Sequence, residues 1–198
     1  NGFTSTLQNP VIPNVTTAAS GTYSVTVTVD GCTSEPGTTT VLINPIPDTP
    51  APSNNSPLCA GGTLNLTNAD VPGGSFYWTG PNGFTSTQQN PSIANVTTAA
   101  SGTYSVTVTV AGCTSNAGTT SVLINPLPSA ITGYNYTAAG SSTTLSNTSP
   151  GGSWSSSVPS VAEINPSSGE VRGMTAGTAL ITYTLPTGCA VSMTFNVL

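Results

Sequence analysis

A strict alternation of hydrophobic and polar residues marks the strongest predicted element of the chain. Within the stretch 102–113, GTYSVTVTVAGC, apolar residues alternate with serine or threonine from Tyr104 to Val110. This period of two is typical of a strand with one buried face. The same stretch occurs at 21–32 with one substitution, and a divergent version, AGTALITYTLPTGC, occurs at 176–189. Three copies of one strand-and-turn unit predict a repeated β domain.

The repeat has a period of 81 residues, because the hexapeptide NGFTST begins at position 1 and again at position 82 (82 − 1 = 81). Only the middle copy, 48–128, is complete. The segment 1–47 matches the C-terminal half of that copy, and 129–198 is a divergent third unit. Long near-identity of this kind indicates recent duplication. We therefore expect the chain to be a window on a longer tandem array.

The middle copy has roughly seven short predicted strands separated by turn residues and shows no helical period, which favours an antiparallel β-sandwich. The expected fold class is all-β, with tandem sandwiches of which the first is incomplete. The segment 1–47 lacks counterparts of two predicted strands, 63–67 and 75–79. It is expected to form a partial sandwich or to borrow strands from a neighbouring molecule.

Composition narrows the range of functions. Charged residues make up 4% of the chain, with a net charge of −5, against about 25% charged residues in ordinary soluble proteins. No apolar run approaches the roughly 18 residues of a membrane-spanning helix. A nucleic-acid partner is not expected, because neutralising phosphates requires lysine and arginine, and Arg172 is the only basic residue.

The sequence also argues against catalysis and against a metal or other cofactor. Histidine and lysine are absent and the acidic residues are scattered, so no general base stands near a nucleophile. No CxxC spacing points to zinc, and no Asp-x-Asp-x-Asp-Gly loop points to calcium. We therefore expect no enzyme, no cofactor and no metal site within the chain.

Several motifs resemble immunoglobulin-like repeats of very long surface adhesins of Bacteroidetes-type bacteria, such as the SprB-like gliding adhesins. The residues that carry the resemblance are CAGGTL at 59–64, the strand around Trp78, and the stretch 102–113. The third unit, with SVAEI at 160–164 and GMTAGT at 173–178, is similar to group 2 bacterial immunoglobulin-like domains.

The resemblance implies a structural or adhesive role on the bacterial cell surface. Such adhesins are exported by the type 9 secretion system and serve gliding motility and attachment as a stalk or filament. Neighbouring repeats of the same long chain are the implied partners, and surface polysaccharide or lateral self-association are further candidates. The alternatives are a carbohydrate-binding module or an accessory region of a secreted hydrolase.

The resemblance also implies roles for individual aromatic residues. Tyr104 and its counterpart Tyr23 resemble the tyrosine corner, in which the hydroxyl bonds to backbone a few residues upstream. The third unit has Ala179 at this place, so its corner is built differently or is absent. Trp78 and Trp154 are expected to fill the two cores, as strand-C tryptophans do in immunoglobulin domains.

Four other aromatic residues are candidates for sugar stacking. Tyr77 lies next to Trp78 and should point to the opposite face by alternation. Tyr77 with Phe84, or Tyr134 with Tyr136, could form a platform for a sugar ring. Ordinary cross-strand pairing of these side chains is the alternative interpretation.

A disulfide between Cys59 and Cys113 is implied by the resemblance, since related modules often carry a cysteine before strand B and another in the F–G turn. Cys32 would then lack a partner, and Thr137 or a neighbour stands where a partner for Cys189 would be. In a regular sandwich these two turns lie at opposite ends of strands about 26 Å long, whereas a disulfide needs Cα atoms within about 7 Å. Either the A–B segment folds back along the sandwich or these thiols are free.

Overall fold

The computed structural model describes residues 2–198. Within that range the regular elements are β-strands and three short 3₁₀ segments, Thr17–Ala19, Pro81–Gly83 and Thr98–Ala100. None of the helical segments in this range has the length and apolar character needed to cross a membrane.

The strands fall into three groups along the chain. The first repeat contains β1 (Gly21–Val25), β2 (Thr28–Val29), β3 (Cys32–Thr33) and β4 (Gly37–Val41). The second repeat contains β5 (Ser53–Asn54), β6 (Leu58–Cys59), β7 (Leu64–Thr67), β8 (Ser75–Thr79), β9 (Thr85–Ser86), β10 (Ser92–Ile93), β11 (Gly102–Val110), β12 (Cys113–Thr114), β13 (Gly118–Val122) and β14 (Ile124–Asn125). The third unit contains β15 (Tyr136–Thr137), β16 (Ser142–Thr144), β17 (Ser153–Ser156), β18 (Ala162–Ile164), β19 (Glu170–Gly173), β20 (Gly177–Thr184) and β21 (Ala190–Val197).

The second repeat is an immunoglobulin-like sandwich of two sheets. One sheet has the order β10–β7–β5, and the other has the order β12–β11–β8–β9 with β13 also paired to β11. These correspond to strands E–B–A and to a sheet built from G, F, C and C′. The pairs within both sheets are antiparallel, whereas the short β6 and β14 of this repeat pair in parallel. The predicted all-β fold of tandem sandwiches is confirmed.

Alternation along β11 determines what lies between these two sheets. Tyr104, Val106 and Val108 are at most 1% exposed, while Ser105 and Thr107 between them are only partly buried. Leu64 and Leu66 alternate in the same way along β7 in the opposite sheet. The buried core of this repeat consists of Leu64, Leu66, Phe76, Trp78, Val96, Tyr104, Val106, Val108, Val122 and Ile124.

The third unit repeats this architecture with other residues. Its sheets have the orders β15–β21–β20–β17 and β16–β19–β18. In this unit β18 and β19 pair antiparallel as a hairpin. The core of this unit consists of Ile131, Leu145, Trp154, Ala162, Val171, Ala179, Ile181, Tyr183, Phe195 and Val197.

The first repeat forms only part of such a sandwich. Its β1 pairs with β4 and its β2 with β3, and the described residues add no strands that face these two pairs. Val25, Val27 and Val29 are therefore 65%, 59% and 63% exposed, although their counterparts in β11 are buried or partly buried. Nearly identical sequence thus gives a covered or an open strand face according to whether the strands β7 and β8 are present. The prediction of an incomplete first sandwich is confirmed.

Candidate functional site

The most distinctive site lies at the joint between the second repeat and the third unit. A disulfide connects Cys59 at the end of β6 to Cys189 in the turn between β20 and β21, with the two Cα atoms 5.5 Å apart. Cys189 is fully buried. The bond closes a loop with a sequence separation of 130 residues. One covalent link therefore ties the two complete sandwiches together.

Backbone pairing positions the Cys59 side of this joint. The parallel register of β6 and β14 places Cys59 opposite Asn125, and the Ala60 N–H donates to the Asn125 carbonyl oxygen over 2.9 Å. Asn125 ends the last strand of the second repeat, and a Pro-Leu-Pro segment follows it. The A–B segment is thereby held beside the point where the chain leaves the sandwich.

A tight turn positions the Cys189 side. The Leu185 N–H donates to the Cys189 carbonyl oxygen over 2.9 Å, and the Gly188 N–H donates back to the Leu185 carbonyl oxygen at the same distance. Gly188 has a φ of 85°, a left-handed conformation that glycine adopts without steric cost. This F–G turn points toward the preceding repeat.

The predicted disulfide between Cys59 and Cys113 is not formed, because Cys59 bonds to Cys189 and Cys113 is free. Cys59 lies beside β14, close to the strand end where Gly102 pairs with Val122, whereas Cys113 pairs with Val110 at the other end of β11. The nine residues of β11 span roughly 26 Å, far more than a disulfide can bridge. The A–B segment does not fold back along the sandwich.

The joint between the first and second repeats contains a related contact without a disulfide. The Cys113 thiol lies 3.7 Å from the Asn44 carbonyl oxygen, and the Asn44 side-chain amide donates to the Ala111 carbonyl oxygen over 3.2 Å. Cys113 is partly exposed and Cys32 is exposed; both are free. The F–G turn of the second repeat therefore touches Asn44, three residues beyond the last strand of the first repeat, β4.

The conformation of this F–G turn follows from two residues. Ala111 and Gly112 both have positive φ values, 48° and 80°, as a two-residue type I′ hairpin requires. In the first repeat Asp30 and Gly31 adopt the same conformation, with φ values of 50° and 79°. The turn holds the following cysteine at the end of its sandwich in both copies.

Both repeated tyrosines form a corner contact. The Tyr104 hydroxyl donates to the Ala100 carbonyl oxygen over 3.0 Å, and the Tyr23 hydroxyl donates to the Ala19 carbonyl oxygen over 2.7 Å. Burial raises the pKa of the Tyr104 phenol above its usual value, because the charged form would lose its hydration. Tyr104 thus anchors the entry to β11 while its ring fills the core.

The third unit uses a different tyrosine, which the sequence analysis missed. The Tyr183 hydroxyl donates to the Ser149 carbonyl oxygen over 2.6 Å and accepts from the Gly152 N–H over 3.0 Å. Its ring lies 4.8 Å from that of Trp154. Tyr183, near the C-terminal end of β20, therefore holds the turn before β17 in place. The alternation of Ala179, Ile181 and Tyr183 toward one face was the available signal.

Both tryptophans lie in the cores. Trp78 is fully buried, and its indole N–H donates to the Gln89 carbonyl oxygen over 3.3 Å. Trp154 is 6% exposed.

Of the two predicted aromatic platforms, the structure places Tyr77 and Phe84 apart in their surroundings and Tyr134 and Tyr136 side by side. Phe84 packs edge-to-face on Tyr104, with ring centroids 5.5 Å apart, whereas Tyr77 is 52% exposed on the outer face of β8. A Tyr77–Phe84 platform is therefore wrong, because Phe84 covers the core. Tyr134 and Tyr136 lie on the surface with ring centroids 5.9 Å apart.

The comparisons with known proteins give fold-level likeness alone. No protein-family model and no curated protein matches the chain. Among solved structures it is similar to hemolin, an insect immune protein, at 14% identity over 92% of this chain and 57% of that one, with a TM-score of 0.42. A C-terminal 282-residue fragment of intimin matches at 13% identity over 73% of this chain and 62% of that one, with a TM-score of 0.42.

Murine CEACAM1b matches at 12% identity over 75% of this chain and 100% of that one, with a TM-score of 0.38. All of these TM-scores lie below 0.5. The immunoglobulin-like fold therefore rests on the strand order and the corner contacts of the chain itself.

Proposed function

We propose that this chain is a structural and adhesive section of a large secreted bacterial surface adhesin, in which tandem immunoglobulin-like sandwiches form a stalk or filament. The observation that carries the proposal is the Cys59–Cys189 disulfide, which ties one sandwich to the next instead of stapling a single core. The backbone already joins the two sandwiches, and this bond adds a second covalent connection across the joint, which suits a spacer under tension. The proposal includes no catalytic activity.

An extracellular location agrees with the same bond. Disulfides persist in oxidising compartments such as the cell exterior and are rare in the cytosol. The near absence of charge leaves a surface of hydroxyl and amide groups with a single basic residue, so trypsin-like proteases find almost no cleavage site. Export by a type 9 pathway and a role in gliding are part of the proposal and come from the resemblance to SprB-like adhesins.

Neighbouring repeats are the proposed partners, and the contacts at both joints support this. Lateral self-association is a further part of the proposal, because the open face of the first repeat exposes Val25, Val27 and Val29 along β1, β2 and the link between them. Strand edges with few charges are poorly protected against pairing with another chain.

Immunolabelling of the source bacterium tests the proposal. Antibodies raised against the chain should label intact, non-permeabilised cells, and their Fab fragments should reduce attachment to glass. Fab fragments from non-immune serum are the control. Labelling that appears only after permeabilisation would overturn the proposal.

Carbohydrate binding is the second candidate, and the exposed Tyr134–Tyr136 pair favours it. The two rings are 71% and 50% exposed and lie in contact at one surface of the third unit. A glycan array with the Tyr134→Ala and Tyr136→Ala variants tests this candidate. Tyr77→Ala is the matched control, because Tyr77 is about as exposed as Tyr136. Binding that is lost in both variants and kept in the control supports a sugar platform, whereas binding that is absent or unchanged in all proteins excludes it.

A further inference from the structure

The two joints of the chain are built from equivalent positions. Asn44 and Asn125 are separated by the repeat period (125 − 44 = 81), and each is followed by the Pro-X-Pro segment that closes its repeat. At the second joint Asn125 is the register partner of Cys59, and its carbonyl oxygen accepts the Ala60 N–H. A cysteine in the next F–G turn, Cys189, completes the disulfide there.

The first joint has the receiving cysteine in the same place. Cys113 stands in the F–G turn of the second repeat, as Cys189 does in the third unit. Its thiol lies 3.7 Å from the Asn44 carbonyl oxygen, which is the counterpart of the atom that pairs with Ala60 at the second joint. A copy of β6 laid beside Asn44 would therefore place its cysteine next to Cys113.

We propose that Cys113 is the receiving half of a cross-joint disulfide, whose other half is the cysteine at the Cys59 position of a complete repeat placed before it. Cys32, in the F–G turn of the first repeat, is the equivalent thiol one joint earlier. In each complete repeat, the cysteine at the Cys59 position then bonds to the following unit, and the cysteine at the Cys113 position bonds to the preceding unit. The inference rests on the geometry of the joint alone and does not depend on an adhesive role.

The bond requires an oxidant, which we assign to the disulfide class, such as glutathione disulfide. One S–S bond forms between the two Sγ atoms while two S–H bonds break. The two electrons and two protons pass to the oxidant, whose own S–S bond breaks to give two thiols. Thiol–disulfide exchange of this kind proceeds through a mixed disulfide between the protein and the oxidant.

Pairing within one repeat is the competing arrangement, and the structure argues against it. Cys59 and Cys113 of the same repeat lie toward opposite ends of β11, roughly 26 Å apart along the strand. The competing arrangement makes a distinct prediction. In a completed first repeat, it would bond the cysteine at the Cys59 position to Cys32 instead of Cys113.

Completing the first repeat tests the proposal. A copy of residues 48–81 is fused directly before residue 1, which restores the 81-residue repeat and raises the number of cysteines from four to five (4 + 1 = 5). After oxidation with a glutathione redox pair, free thiols are alkylated and disulfides are mapped by mass spectrometry. We expect the copied cysteine to be bonded to Cys113, with free thiols falling from two in the unextended chain to one, Cys32.

The same extension with serine in place of the copied cysteine is the matched control, and it should retain two free thiols, Cys32 and Cys113. A bond from the copied cysteine to Cys32 would overturn the proposal. So would a free copied cysteine beside a free Cys113 in a protein that forms the Cys59–Cys189 bond.

A second measurement uses the chain without an extension. A synthetic peptide of residues 48–81 is mixed with the full chain under the same redox pair. We expect the peptide to be attached to Cys113 in preference to the more exposed Cys32. Attachment predominantly at Cys32, as exposure alone would give, would contradict the proposed geometry.

Discussion

End-to-end tension on this chain should bypass most of the two complete sandwiches. With handles at the two termini, force runs along the chain to Cys59, crosses the disulfide to Cys189 and leaves through the last strand, β21. The residues between the two cysteines carry no tension. At a sequence separation of 130 and 3.3–3.6 Å per extended residue, roughly 430–470 Å of chain is hidden from stretching.

Single-molecule force spectroscopy measures this hidden length. The oxidised protein should extend by roughly 430–470 Å less than the reduced protein. The variant Cys59→Ser with Cys189→Ser should behave like the reduced protein under all conditions. The variant Cys32→Ser with Cys113→Ser is the matched control and should keep the difference, because neither residue is in the bond. Equal total extension of the oxidised wild type and the Cys59→Ser/Cys189→Ser variant would refute the load path.

Three further predictions concern stability, each measured by urea unfolding. Val108→Thr should destabilise the second repeat by about 1–3 kcal/mol, because it buries a hydroxyl without a hydrogen-bond partner. The counterpart variant Val27→Thr, at an exposed position, should change the stability by less than about 0.5 kcal/mol. Equal effects of the two variants would contradict the difference in burial. Since the pKa of Tyr104 is raised in the folded state, its phenol ionises first in the unfolded state, and stability should fall as the pH rises above about 10. The variant Tyr104→Phe should weaken that fall. An unchanged pH profile of the variant would contradict this role of Tyr104. Ala111→Asn should stabilise by roughly 0.5–1 kcal/mol, because asparagine tolerates the left-handed conformation of this turn better than alanine, and destabilisation would show that the turn is misassigned.

Period-two alternation was sufficient to predict the strands that form the cores. β8 matches the predicted strand 75–79, and β11 runs from Gly102 to Val110 as its pattern indicates. The short strands β9 and β10 are less predictable, since they comprise only Thr85–Ser86 and Ser92–Ile93. Both segments lie at sheet edges, where turn geometry limits pairing more than the apolar pattern does.

The disulfide could not be predicted by considering each repeat by itself. The resemblance implies a pairing of Cys59 with Cys113 inside one repeat, whereas the bond depends on how one sandwich meets the next. Cys189 carried the missing signal, because its own unit offers no second cysteine. Phe84 was misplaced for a related reason, since its ring turns inward to cover Tyr104 once the 3₁₀ turn Pro81–Gly83 has formed.

Whether Cys59 is bonded to Cys189 can be measured with a single protease, because the chain has one basic residue, Arg172. The chain is alkylated and unfolded in urea without reductant, and trypsin then cuts it after Arg172, which lies inside the loop closed by Cys59 and Cys189. We expect a single cleaved protein, heavier than the intact chain by one water, because the disulfide holds its two fragments together. Only reduction should separate it into 1–172 and 173–198. Release of 173–198 before reduction, carrying an alkylated Cys189, would contradict the covalent joint.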